Sequence, residues 1–85
     1  MSRTGTIAVI DPEQGAAAIR TAEGEYTIVE IDPDWALGIG DRIAWDNDDG
    51  LGFETYRNES RSADGDVFVQ NHYVDEKTMR LQFPG

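Results

Sequence analysis

No cysteine occurs in the 85 residues, so the chain has no disulfide to stabilise it and no thiol for nucleophilic catalysis or metal ligation. That usage fits a reducing, cytoplasmic setting. Histidine is nearly missing too: His72 is the single imidazole, which leaves little choice of general base. Ser60 and Ser62 lie in a polar stretch, and nothing in the pattern brings them to His72, so acyl-transfer chemistry has no support. Apolar runs extend only a few residues, too short for a membrane span, and Met1-Ser2-Arg3-Thr4 lacks the apolar core of a signal peptide. Cations are scarce: seven Lys and Arg stand against seventeen Asp and Glu, a net charge of −10. Nucleic-acid affinity draws on counterion release by clustered cations, whereas Arg3, Arg20, Arg42, Arg57, Arg61, Lys77 and Arg80 are scattered. The acidity serves solubility and self-repulsion, or else an acidic face for a basic partner or nucleic-acid mimicry. No enzyme activity, metal or cofactor is expected.

What is present is the punctuation of short strands. Thr4 to Ile10 is rich in β-branched residues and ends at Asp11-Pro12-Glu13-Gln14-Gly15, where proline fixes φ and glycine can take φ > 0. Ala16 to Thr21 follows, then the turn Ala22-Glu23-Gly24-Glu25, then Tyr26 to Ile31, the clearest strand of all. Short turns between the three predict an antiparallel meander. A longer connection begins at Asp32-Pro33-Asp34-Trp35 and leads through Gly38-Ile39-Gly40-Asp41 to a fourth strand, Arg42 to Trp45. Asn47-Asp48-Asp49-Gly50 is a hairpin turn; neighbouring acidic residues suggest a calcium loop, but the EF-hand spacing is met in no register. Gly52 to Arg57 is a fifth strand, Ser60 to Gly65 a polar turn, and Asp66 to Asn71 a sixth. In the tail, Met79, Leu81 and Phe83 alternate as a strand would, yet Val74, Asp75 and Met79 also fit a staple and N-cap; a helical turn over 76–81 is favoured. The expected fold is a single all-β domain over 1–85, a small antiparallel barrel of five to six strands with a short C-terminal helical turn.

The run Gly5-Thr6-Ile7-Ala8-Val9-Ile10-Asp11-Pro12-Glu13-Gln14-Gly15-Ala16-Ala17-Ala18-Ile19 resembles, without a gap, the G-x-V-K-W-F-N-x-x-K-G-F-G-F-I pattern of cold-shock domains. Leu37-Gly38-Ile39-Gly40-Asp41-Arg42-Ile43 is similar to that family's L-x-x-G-x-x-V. The resemblance implies an OB-type barrel core over about 4–58, with 66–83 as an extension, and the binding of RNA or single-stranded DNA on aromatic platforms. The platform positions depart from the pattern: Ala8, Val9, Gln14, Ala16 and Ala18 stand where the family has lysine, tryptophan and phenylalanine. Stacking is worth about 1–3 kcal/mol per base, so several kcal/mol of affinity go with them, and the surface they leave is expected to be flat and uncharged.

Aromatic residues recur later in the chain. Period-two alternation predicts Phe68, Gln70 and His72 on one face of the last strand. The candidate ligand or partner surface is therefore Trp35, Phe53, Tyr56, Arg57, Phe68, His72 and Tyr73, with Trp35 the more exposed of the two tryptophans. The expected function is a non-catalytic binding or regulatory module acting through an unidentified protein partner, using the segment Phe68 to Phe83. The alternatives are homodimerisation through an exposed strand in that segment, and weak single-stranded nucleic-acid binding through the relocated aromatic patch.

Overall fold

The β-branched runs and turn clusters resolve, in a computed structural model that describes residues 3–84, into six strands and one helix. Met1, Ser2 and Gly85, the ends of the expected domain, lie outside the described residues. The elements are β1 (Arg3–Asp11), β2 (Ala16–Thr21), β3 (Tyr26–Ile31), β4 (Arg42–Trp45), β5 (Gly52–Asn58), β6 (Ala63–Val74) and α1 (Glu76–Gln82). The strands form a closed barrel in the order β1-β2-β3-β6-β5-β4, β4 returning to β1, with every pairing antiparallel. The small all-β barrel read from the sequence is what the chain forms.

Two expectations are corrected. The segment 66–83 is not an extension beside a finished barrel, because β6 pairs with β3 on one side and β5 on the other and thereby closes it. β6 is paired with β5 only over its first half, Ala63 to Val69, while Gln70 to Val74 lies against β3 alone, which confines any strand pairing with a second copy there to those last residues. The polar stretch before it is also shorter than expected: β6 already begins at Ala63, and the turn is closed by Ser62 at φ 52°.

Inside the barrel, Ile7, Ile19, Val29, Ile43, Trp45, Tyr56, Val67 and Val69 make the main core. Trp45 and Tyr56 lie on neighbouring strands and stack at 4.6 Å with their planes 6° apart. The connection between β3 and β4 seals one end of the barrel. There Trp35 is buried and donates from Nε1 to the Ala63 carbonyl at 2.9 Å. Its ring lies flat against Gly65, where a Cβ would come within 2.2 Å of it. Buried Asn58 ties the same connection down, donating to the Ala36 carbonyl (2.9 Å) and the Asp41 carboxylate (2.8 Å). The Asn58 bond first, and second a hydrogen bond from the Arg61 guanidinium to the same carboxylate, hold the Asp41 carboxyl below its ordinary value.

A second apolar cluster lies outside the barrel wall. The register of β1 against β2 slips between Ile7 and Val9, so Ile7 faces inward while Ala8 and Val9 face out. On that outer face they join Ala18, Tyr26, Ile28, Val74, Met79 and Phe83. Met79 and Phe83 come from α1 and its C-cap, which lie across β2 and β3. Helix α1 begins where the sequence reading placed it: Asp75 is the N-cap and accepts from the Thr78 amide at 2.7 Å, while Val74 and Met79 share the cluster as a staple would. Burying Met79 contributes about 2 kcal/mol. β2 and β3 are thus covered on both faces for part of their length, which is why they read as nearly continuous apolar runs.

Candidate partner-binding surface

The seven residues expected to share one surface fall in three places. Trp35 and Tyr56 are interior: Trp35 is the plug over Gly65, not an exposed ring, and Tyr56 is fully buried against Trp45. Alternation along β5 explains the second case, since Phe53 and Tyr56 are three apart and must take opposite faces. Burial raises the Tyr56 pKa, and its hydroxyl finds no hydrogen-bond partner among the described residues.

His72 is turned inward, away from the face that carries Phe68. The pairing of β6 with β3 slips twice, between Val69 and Asn71 and again before Val74, and each bulge reverses the side-chain parity. The His72 ring then lies 6.2 Å from Trp45. Its Nε2 donates to the Gly50 carbonyl at 3.2 Å, so Nδ1, 2.8 Å from the Thr27 hydroxyl, accepts. Desolvation pushes its pKa below the ordinary value of 6.5, so the ring is neutral at pH 7. Tyr73, at φ 58°, takes the left-handed region inside a strand, at a cost of about 1–2 kcal/mol. It faces outward, where Arg3 donates to its hydroxyl at 2.9 Å and lies 5.1 Å from its ring centre.

Phe53 and Phe68 are brought together. They are direct partners in the β5–β6 register, and their rings meet edge to face at 4.9 Å and 80°. Phe53 is 84% exposed and Phe68 37%, the two forming an aromatic step on the outer face of the barrel. On the other side of Phe68 its register partner is Glu30, so Glu30, Phe68 and Phe53 form one row across β3, β6 and β5. A groove of about 380 Å3 runs beside this row, lined also by Asp32, Pro33 and Asp66. Arg57 is the one member of the expected set that brings positive charge to β5, and the Asp46 carboxylate holds it in a fork at 2.9 and 3.4 Å. That hydrogen bond is also the main reason its pKa is raised.

The aromatic step therefore lies among carboxylates rather than cations. The ion pairs of the described residues use Asp41, Asp46, Asp48, Glu59 and Glu76, and none of them uses Glu30, Asp32, Asp34, Asp64 or Asp66. The last four ring a shallow notch beside the groove, with Trp35 and Gly65 at its base. Glu30 accepts only from the Gln70 amide (2.9 Å) and Asp66 from the Thr55 hydroxyl (3.0 Å), neutral donors that leave both charges uncompensated. These acidic neighbours were missed in the sequence. Glu30 is the lone charge in the apolar run of β3, and Asp66 alternates with inward Val67, so their outward direction was legible. That β3 and β5 both flank β6 was not.

The face that the cold-shock resemblance singles out is not flat and open. Ala8, Val9 and Ala18 lie in the cluster capped by Met79 and Phe83, Ala16 is buried, and the Gln14 amide donates to the Gln82 carbonyl at 3.0 Å. Small residues there let α1 approach the sheet closely. No family model, curated protein or solved structure matches the chain. Among the described residues no helix is long and apolar enough to cross a membrane, and no His, Asp or Glu cluster is arranged to hold a metal.

Proposed function

We propose that the chain is a divergent cold-shock-like barrel serving as a non-catalytic, cytoplasmic binding module that acts through protein contacts. Its contact face is the outer surface of β5 and β6 around Phe53 and Phe68. One observation carries the reading: a phenylalanine 84% exposed, braced by a second ring, where the neighbouring outward side chains of β5 and β6, Thr55, Asp64, Asp66 and Gln70, are polar. A lone exposed apolar residue is ordinary, but a braced pair over a groove is the form that protein–protein anchors take.

The nucleic-acid alternative has less to stand on. Of the relocated patch, Trp35 and Tyr56 are buried and His72 is half-buried with both ring nitrogens engaged, and the remaining Phe53–Phe68 platform faces unpaired carboxylates that repel phosphate. A catalytic role for His72 is disfavoured by the occupation of both ring nitrogens. The test is a fluorescence titration with oligo-dT and oligo-rU across ionic strength. No saturable binding is expected at low salt; micromolar affinity that collapses as salt rises, and that Phe53→Ser abolishes, would replace this reading with the nucleic-acid one.

A further inference from the structure

We infer that the occupant of the Phe53–Phe68 face is a cationic protein segment, one that sets an apolar side chain on the aromatic step and lysines or arginines against Glu30, Asp32 and Asp66. This rests on the reading of the module as a protein binder and adds the chemistry of its partner.

Three features converge on that occupant. The first is register: Glu30, Phe68 and Phe53 are outward neighbours in one row, so the Glu30 carboxylate sits one strand from Phe68 and two from Phe53. An extended or helical segment with a basic residue next to its anchor spans that distance. The second is charge. Glu30, Asp32 and Asp66 line the groove without an ion pair among the described residues, and Arg57, the cation on β5, is already held by Asp46. Like charges this close repel one another, and a cation entering among them relieves the repulsion as it binds. The third is the aromatic step itself. The edge-to-face pair leaves a ring face of Phe53 open, a surface that takes either an aliphatic side chain or the flat of a guanidinium. A second copy of the chain is a poor occupant, because it brings a net charge of −10 to the same surface.

The experiment places the photocrosslinking residue p-benzoylphenylalanine at position 53 of the full chain, expressed in its cell of origin, and sequences the crosslinked peptide by mass spectrometry. The expected adduct is a protein segment of net positive charge with Lys or Arg within a few residues of the crosslinked apolar side chain. A crosslinked segment that is neutral or acidic overturns the inference while leaving the protein-binding reading intact. Adducts to nucleic acid alone, to the chain itself alone, or to nothing overturn both. The segment is then synthesised and titrated against variants of equal charge. Glu30→Gln with Asp66→Asn is expected to weaken it at least tenfold, and Glu23→Gln with Glu25→Gln, on the distant turn between β2 and β3, less than twofold. Equal losses in the two pairs would show attraction to net charge alone and would sink the proposed face.

Discussion

Single side chains decide more of this barrel than their number suggests. Gly65 is where the Trp35 ring passes, so Gly65→Ala forces the ring out of its seat. Overpacking of this kind costs about 2–3 kcal/mol, which in a domain this size lowers Tm by roughly 8–20 °C in calorimetry. Tyr56 is the opposite case. Its hydroxyl is buried without a partner among the described residues, so Tyr56→Phe should leave stability unchanged or raise it by up to about 1 kcal/mol in urea unfolding. A loss larger than that would show that the hydroxyl is satisfied. His72 gives the molecule a pH response. Its folded-state pKa lies below the unfolded value near 6.5, so the unfolded chain takes up the proton first as pH falls. Stability should be full above about pH 6.5 and decline below it, levelling off once the folded-state pKa is passed. The hydrogen bond to the Gly50 carbonyl and the charges of Asp49 and Asp48 pull its pKa upward and Arg3 pulls it downward, all less than burial does. Asp11, Asp41 and Asp75, held below 3.8 by their hydrogen bonds, titrate outside this window. Urea midpoints at pH 7.5 and 5.5 for the wild type and His72→Gln measure the effect, and the variant should lose the slope.

At the scale of elements, α1 is the piece whose role is least expected from the local sequence. Its existence was legible in Val74, Asp75 and Met79, and so were the strands, because β-branched runs and turn residues agree to within one residue at every boundary except those of β6, which runs three residues further at each end. What lies beneath the helix was not legible. Ala16 and Ala18 alternate with Ala17 and Ile19, and an alanine has too little side chain to say whether the face it leaves is bare or covered. The bulges in β1 and β6 hid for a related reason: a one-residue slip changes which side chains face inward without changing composition, so Phe68 and His72 were read onto one face. Of the candidate surface, the contact between Phe53 and Phe68 depends on a pairing that only the folded chain defines. The energetic weight of α1 can be measured. Met79→Ala should cost about 2–3 kcal/mol in urea unfolding. Asp75→Ala should lower the urea midpoint by less, with no change in slope. If both left the midpoint untouched, α1 would contribute nothing to the fold.

Across the whole molecule the charge has a direction. In the ring of six strands β1 stands opposite β6. The register sets Arg20, Thr6 and Arg42 in a row across β2, β1 and β4, on the far side from Glu30, Phe68 and Phe53. Arg20 has no ion pair among the described residues, while Arg42 shares its charge with Glu59 at 2.9 Å. A basic partner is therefore drawn toward the aromatic step and turned away from the opposite wall. Head-to-tail stacking of copies would match the two rows, but net repulsion at −10 outweighs one free arginine. Sedimentation velocity should accordingly give a monomer at both low and high ionic strength. A mass that rises only at low salt would show that the rows do pair.

The closing role of β6 also sets the order in which the chain can be finished during synthesis. β3 and β5 meet only through β6, so a nascent chain that has not reached Val74 holds two unsatisfied strand edges and an uncovered outer face on β2 and β3. No upstream hairpin can close the ring by itself, and its long-range pairings place the barrel among the slower, all-or-none folders. An emerging chain in that state is exposed to edge-to-edge association with its neighbours on the same message. Its abundance of carboxylates, which shapes the finished surface, would then act earliest as the repulsion that keeps unfinished copies apart.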